Sequence, residues 1–200
     1  MKHSFPLCLV LIAAVVLTGG CAFRVQVQGY RSPETTIEMT PGMSIYLQPE
    51  IDTYAGVCPV AGNELTRMIT DLLAGEGYQL APQESADLIL VYSYDHVGHK
   101  GRVRFEPQTG PTGGMRTVAR GGPYEHSLFL RVIDAAKYVE NGDEQVVWAG
   151  SASLEAAPTG SPRFVAMLLV AAFEDFPGTK EQTVTRKMYL SDSRIVALGY

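Results

Sequence analysis

The order of apolar and polar residues predicts several strands in the first half of the chain. RVQVQGY, residues 24–30, alternates between the two classes, which is typical of a strand with one covered face. SIYLQP, residues 44–49, predicts a second, short strand. ADLILVYSYDHVGH, residues 86–99, begins as a continuous apolar run and then alternates. That pattern indicates a central strand whose far end leaves the covered part of a sheet.

Two further strands are predicted in the second half, with an edge strand in the tail. YEHSLFLRVIDA, residues 124–135, and QVVWAGSASLEA, residues 145–156, both alternate. The pair Asn141-Gly142 between them is a strong hairpin signal. RKMYL, residues 186–190, predicts the edge strand. Trp148, in the second of these strands, is expected in the core.

Two stretches predict helices. In GNELTRMITDLLAGEGYQL the apolar residues recur at i, i+3, i+4, i+7 and i+8 and form one face: Leu65, Met68, Ile69, Leu72 and Leu73. Asn63 is the predicted N-cap, and Gly75 or Gly77 the predicted end. Residues 161–177, SPRFVAMLLVAAFEDFP, predict a second helix that Ser161 caps and Pro177 ends. Its even hydrophobicity indicates that most of its circumference is covered.

The predicted order is strand, strand, helix, strand, long loop, strand, strand, helix. An α+β fold satisfies this order best: a two-layer α/β sandwich in which one mixed, mostly antiparallel sheet carries two helices on one face. Residues 98–122 are rich in glycine and proline and poor in apolar residues. We predict a long flexible loop there, with a long hairpin at RVRF and MRTVA as an alternative interpretation.

The apolar run before the domain predicts a targeting segment. PLCLVLIAAVVL, residues 6–17, has the length of a signal-peptide core and is too short for a spanning helix, which needs roughly 20 apolar residues. Small residues at positions 18–20 precede Cys21 and resemble the lipobox of bacterial lipoproteins. In such signals the thiol is acylated and the chain is cut before the cysteine. An ordinary secretory signal and a retained membrane helix are the alternatives.

The predicted lipoprotein signal defines the parts of the chain and the location of the protein in the cell. The predicted parts are a signal peptide (1–20), a lipidated N-terminus and tether (21–43), a single domain (44–177) and a tail (178–200). By the same resemblance, the lack of an aspartate after Cys21 favours the outer membrane. The mature protein is then lipid-anchored, for example by palmitate, and faces the periplasm. Two or more acyl chains suffice for stable anchoring.

Charge and cysteine content narrow the choice of partners. The net charge of −5 and the scattered basic residues argue against a nucleic-acid partner, because phosphate binding needs clustered Lys and Arg. Cys8 leaves with the signal, and Cys21 carries the lipid. Cys58 then remains alone, and its apolar neighbours favour a buried, inert thiol over a reactive one.

Four stretches resemble the family of small bacterial envelope lipoproteins called domain of unknown function 4136. They are NELTRMITDLLAGEGYQL, SADLILVYSY, LRVIDAAKYVENGDEQVVWAGSAS and FEDFP, all between residues 44 and 177. The resemblance implies the predicted fold and an envelope location. The activity of that family is unknown, so the resemblance transfers no catalytic residue. The loop 98–122 and the tail lie outside it.

One cluster suggests chemistry, namely Asp95, His96 and His99 in YDHVGH. These residues suit a metal site or a hydrolase, but positions three apart on a strand point to opposite faces, so the histidines converge only if the strand breaks at Gly98. The serines lack a G-x-S-x-G elbow. We therefore expect no metal, no cofactor and no catalytic set.

The same segment predicts a binding surface. If Tyr92 and Tyr94 share the face opposite the helices, they form a partner or ligand surface together with Asp95, His96 and His99. The leading hypothesis is a non-enzymatic protein that binds another envelope protein, or an envelope-assembly component. One alternative is a module for a small amphiphile or a glycan, bound in a deep pocket between sheet and helices. A hydrolase is the third hypothesis.

Overall fold

The computed structural model describes residues 22–50, 62–98, 103–107, 115–119, 124–156, 161–174, 176–178 and 180–200. The predicted signal peptide, Cys21, Cys58 and His99 lie outside these residues. No helix in the described ranges is long and apolar enough to cross a membrane.

Strands dominate the described residues. They are β1 (Ala22–Arg31), β2 (Ser44–Pro49), β3 (Gln79–Leu80), β4 (Leu88–Gly98), β5 (Val103–Pro107), β6 (Met115–Ala119), β7 (Tyr124–Asp134), β8 (Val146–Ala156) and β9 (Lys180–Tyr189). The helices are α1 (Gly62–Gly75), α2 (Ala135–Asn141), α3 (Pro162–Phe173) and α4 (Ser193–Ala197). Seven strands form one sheet in the order β3-β2-β4-β7-β8-β1-β9. Only the β2–β3 and β2–β4 pairs of this sheet are parallel. The predicted α+β fold with one mixed sheet is confirmed.

Alternation along β4 separates the two faces of the sheet. Leu88, Leu90 and Tyr92 belong to the large core cluster, which also contains the apolar residues of α1 and α3. Ile89 and Val91 belong to a smaller cluster on the other face. All nine residues 165–173 of α3 are buried, which explains the even hydrophobicity of this helix. We call the face that α1 and α3 cover the helix face.

Residues 22–31 belong to the sheet, which corrects the predicted boundary of the domain. β1 lies between β8 and β9 and pairs antiparallel with both. Val25 and Val27 are buried in the core, and Met39 is buried beyond the strand. The stretch predicted as a tether therefore holds β9 to the rest of the sheet. The tail in turn supplies β9, the edge strand, and α4, so both terminal segments are part of the body.

The connection between β7 and β8 differs from the predicted hairpin turn. Residues 135–141 form α2, with Asp134 as N-cap: its side chain accepts from the N–H of Ala136 at 3.0 Å and of Lys137 at 3.3 Å. Gly142 ends the helix at φ +73°, and its N–H donates to the carbonyl of Tyr138 at 2.9 Å. Asn-Gly favours positive φ both in hairpin turns and at helix ends, so the pair predicted the conformation but not the element.

The ends of the two long helices agree with the sequence in part. α1 begins at Gly62, so Asn63 lies in its first turn and is not the N-cap. Gly77, at φ +86°, follows its end, and the N–H of Tyr78 donates to the carbonyl of Leu73 at 2.9 Å, as in a Schellman motif. Ser161 caps α3, as predicted, but that helix ends at Phe173, before the proline expected to stop it.

Trp148 lies in the core, as expected. Its ring packs edge-on against Phe176 at a centroid distance of 4.9 Å, and its Nε1 donates to the carbonyl of Gly178 at 2.9 Å. A Cβ on Gly150 would lie 2.2 Å from the indole, so the absence of a side chain there makes room for the ring. The hydrogen bond from Trp148 joins the tail to β8 near the start of that strand.

The predicted loop 98–122 contains a hairpin. β5 and β6 pair antiparallel in a two-stranded sheet of their own, with Val103 opposite Ala119. This agrees with the alternative interpretation of that segment. The remaining residues of the loop lie outside the described ranges.

Candidate functional site

The sheet face opposite α1 and α3 carries side chains in three aligned rows, which together we call the open face. Strand register places Gln48, Val91, Arg131, Ala149 and Tyr30 in the first row. The second row holds Ser93, Phe129, Ser151 and Gln28. The third row holds Asp95, Ser127, Ser153, Gln26 and Thr185. Each row crosses four or five strands, so residues far apart in sequence become neighbours.

Two large aromatic side chains stand on this face, among polar side chains and the small apolar Val91 and Ala149. Phe129 is 49% exposed and Tyr30 is 46% exposed. Leu128 and Leu130 are buried in the core, and strand alternation therefore turns Phe129 to the opposite side. Both aromatic residues line a depression of about 440 Å³. Large apolar groups that stay exposed together on a polar surface often mark a contact site.

Arg131 forms the charged margin of this depression. Its Nη1 lies 3.0 Å from Oε2 of Glu144, and its Nη2 lies 3.1 Å from Oε1 of Glu50. The three side chains join β7 to the end of β2 and to the segment before β8. Because the groups are partly exposed, the pairs add little to stability. They do hold the guanidinium in place beside the aromatic residues.

The third row consists of polar side chains, and charged side chains lie beyond it. Gln26, Ser153 and Thr185 line a second depression of about 460 Å³. Arg24, Glu125 and Glu155 line the same depression at its outer end. The open face therefore changes from aromatic and apolar at Phe129 to hydroxyl and amide groups, and then to charges of both signs.

Tyr92 and Tyr94 lie on the helix face, so the predicted surface built on them is wrong. Tyr92 is buried, and its hydroxyl lies 2.6 Å from the hydroxyl of Thr66 on α1. Tyr94 packs against the same core, with its hydroxyl 2.6 Å from Nδ1 of His126. Alternation continues from the buried Leu90 through positions 92 and 94, which places both tyrosines under the helices.

The residues predicted to carry chemistry do not assemble in the described part of the chain. Asp95 is exposed and lies on the open face opposite Ser127. His96 follows it in β4 and lies opposite His126 in the strand register. Among the described residues there is no group of three or more His, Cys, Asp or Glu side chains that could hold a metal ion. His99 lies outside the described residues.

His126 is a core residue. It is buried, and its ring lies 5.8 Å from the ring of Phe164 on α3 and stacks with Tyr94 at 6.2 Å. The hydrogen bond to Tyr94 satisfies Nδ1. A buried histidine with an aromatic cage and a hydroxyl partner stabilises the junction of β4, β7 and α3.

The central residues of the open face were not predicted from the sequence. Phe129 and Arg131 occupy the positions of β7 that alternate with its core leucines. Tyr30 likewise lies on the side of β1 opposite its buried residues. The sequence did hold one signal for this site: a phenylalanine stands at a strand position where the alternation leads one to expect a polar residue. The rows themselves depend on pairing between distant strands, which alternation alone does not reveal.

Comparisons with known proteins concern the fold alone. No family model matches the chain, and no curated protein matches it. A PDZ domain protein from Parabacteroides distasonis is similar in structure, with a TM-score of 0.54 and 12% identity over 88% of this chain and 41% of that one. This chain thus spans about two fifths of that protein. PelC from Paraburkholderia phytofirmans, a dodecamer, is similar with a TM-score of 0.45 and 13% identity over 78% and 99%. Such identities carry no information on activity.

Proposed function

We propose that this protein is a non-enzymatic lipoprotein of the outer membrane, anchored through an acylated Cys21 and facing the periplasm, whose open face binds another envelope protein. The anchor rests on the apolar run and the small residues before Cys21. One observation carries the binding role: Phe129 stands half-exposed at the centre of the open face, beside Tyr30 and Arg131.

The composition of this centre favours a protein partner. Aromatic residues and arginine are enriched where binding energy concentrates in protein interfaces, whereas lysine and acidic residues are depleted there. Around Phe129 stand Ser93, Ser151 and Gln28, small or neutral groups that allow close approach. Phe129 and Tyr30 lie on paired strands, and two ion pairs hold Arg131. These side chains are therefore already ordered, and little conformational entropy is lost when a partner binds.

The size of the open face indicates the class of contact. Strands lie about 4.8 Å apart and same-face residues about 6.8 Å apart along each strand, so three rows over five strands cover about 500 Å². A standard interface buries about 800 Å² per partner. A contact confined to the open face is therefore a weak and reversible one, as suits an assembly partner.

The two alternative functions differ in how well the geometry suits them. The space between sheet and helices is filled by fully buried side chains such as Leu90, Leu130 and Leu168, so an amphiphile or glycan would have to use the depression on the open face. A sugar ring on Phe129, with hydroxyl and amide groups around it, is the second candidate there. A hydrolase is not favoured, because it would need His96 and His99 to converge, and positions three apart on a strand point to opposite faces.

Photo-crosslinking in intact cells tests the proposal. The full-length protein carries a benzoyl-phenylalanine at position 129, and a matched protein carries it at position 139 on α2, where Val139 is 61% exposed. We expect one discrete protein adduct from position 129, its loss with Tyr30→Ala, and no such adduct from position 139. The melting temperature of each variant shows that it folds.

Two results would overturn the protein-binding role. One is the absence of any protein adduct at position 129, and the other is an adduct whose yield Tyr30→Ala leaves unchanged. A carbohydrate adduct at position 129 would support the second candidate in its place.

A further inference from the structure

Cys21 directly precedes the folded body. Ala22, the next residue, is the first of β1 and lies opposite Tyr189 of β9 in the strand register. Consecutive Cα atoms are about 3.8 Å apart across a trans peptide, so a single peptide bond separates the proposed lipid attachment from the first strand residue. A lipid on Cys21 would therefore reach the protein without any intervening linker.

The strand directions show which end of the sheet this is. β1 runs antiparallel to β8 and β9, so its start lies beside their last residues. β7 is antiparallel to β8, and β4 to β7, so the start of β7 and the end of β4 lie at the same end. The start of α3 lies there too, since Phe164 contacts Phe23 at a centroid distance of 5.3 Å. We call this the anchor end, and α2 lies at the other end.

We propose that the anchor end rests directly on the phospholipid surface, with the strands rising from the membrane. This inference depends on the acylation of Cys21 in the proposed function. An acylated cysteine sits at the level of the glycerol backbones and headgroups, and without a linker the residues around Ala22 are held at that level. The partner of the anchor end is therefore a layer of lipid headgroups.

The side chains around Ala22 suit that layer. Tyr189 is 45% exposed, and tyrosine is enriched at membrane–water interfaces, where its ring and hydroxyl meet apolar and wet surroundings. Arg24, Lys187 and Arg163 are exposed at the same end. Basic side chains are attracted to anionic headgroups. Arg24 lines the same depression as the acidic Glu125 and Glu155, so the headgroup contact falls mainly on Lys187 of β9 and Arg163 of α3.

This orientation determines how the open face is presented. β7 has 11 residues and is about 35 Å long at roughly 3.3 Å per residue. In this orientation the open face stands roughly perpendicular to the bilayer surface and is accessible from the side. α2, at the far end of β7, is then held away from the lipid.

Crosslinking to lipid tests the orientation in the full-length, acylated protein in its native membrane. Benzoyl-phenylalanine replaces Tyr189 in one variant and Val139 on α2 in the other, both of them exposed side chains. We expect phospholipid adducts at position 189 at least ten times more often than at position 139. Equal yields at the two positions would overturn the proposal.

A linker variant supplies the second readout. Ten Gly and Ser residues inserted after Ala22 leave Cys21 and its neighbour in place and add about 18 Å of reach. We expect the phospholipid adduct at position 189 to fall several-fold, and an unchanged yield would count against the orientation. The mass of the N-terminal peptide separates the two proposals. If Cys21 is acylated and position 189 gives no adduct, the orientation alone fails, whereas an unacylated Cys21 overturns both.

Discussion

At the scale of single residues, Ser44 and Asp87 join the starts of two parallel strands. Oδ2 of Asp87 accepts from the N–H of Ser44 at 2.8 Å and from its Oγ at 2.7 Å. The N–H of Asp87 donates back to the Oγ of Ser44 at 3.0 Å. The bonds from the backbone and the side chain of Ser44 hold the pKa of Asp87 below its ordinary value. The pair therefore fixes the register of β2 against β4 while the carboxyl group is ionised.

Asp87→Asn tests this link through its pH dependence. A lowered pKa in the folded protein means that the carboxylate stabilises the fold above its ordinary pKa of about 3.9, and that this contribution is lost as the pH falls through the folded value. Because the group is exposed, we expect the free energy of unfolding to drop by about 1 kcal/mol at pH 7. Urea unfolding of both proteins between pH 7 and pH 2.5 measures the difference.

The control is Glu84→Gln, an exposed substitution near the same edge, which should change the free energy of unfolding little at any pH. A difference between Asp87→Asn and the unchanged protein that stays constant down to pH 2.5 would show that the carboxylate charge is not the cause.

At the scale of elements, the ends of α2 show what the local sequence decides. Gly142 has φ +73°, and a Cβ added to it would meet nothing within 4 Å, so conformation and not space limits the residue there. Gly75, the last residue of α1, has no positive φ and also faces open space. The two glycines both lie at helix ends and face open space, but only Gly142 has a positive φ.

We expect Gly142→Ala to lower the free energy of unfolding by about 1 kcal/mol, because an alanine in the left-handed region is strained. Gly75→Ala should raise it by about 0.5 kcal/mol, since alanine is the better helix former. Thermal and urea unfolding of the two variants measure both values. Equal changes of the same sign would contradict the conformational explanation.

The local pattern of apolar and polar residues predicted which segments form strands and helices better than it predicted which strands pair with each other. The alternation of RVQVQGY predicted a strand at β1, yet its place between β8 and β9 depends on pairing with residues more than a hundred positions away. The turn-rich stretch after β1 therefore suggested a tether, and the domain boundary fell too late. The start and the burial of α3 were predicted correctly, because its cap and its evenly apolar composition are encoded within one short segment.

At the scale of the whole molecule, sheet order creates both proposed surfaces. The central row of the open face takes Ser93 from β4, Phe129 from β7, Ser151 from β8 and Gln28 from β1. No local motif contains these residues together, so the sequence predicted the fold class and not the site. Conversely, the sequence directed attention to Tyr92 and Tyr94, whose direction depends on which side the helices cover.

The same order relates the predicted anchor to the binding face. β1 carries Tyr30 of the open face near one end and Ala22, next to Cys21, at the other. One strand thus connects the proposed membrane attachment to the proposed aromatic site. A membrane-bound body with a laterally exposed face is the arrangement that a weak contact with another envelope protein requires, because both partners are then confined to the same surface.

The mass of the mature protein tests the central claim most directly. The full-length gene is expressed in a Gram-negative cell, and the protein is extracted from the membrane with detergent and analysed by intact mass spectrometry and by peptide mapping. We predict a chain that starts at Cys21, lacks residues 1–20 and carries acyl chains on that cysteine, while Cys21→Ala removes the lipid mass and the membrane association. A membrane-bound or soluble chain that retains residues 1–20, or that starts elsewhere without acyl chains, would contradict the account.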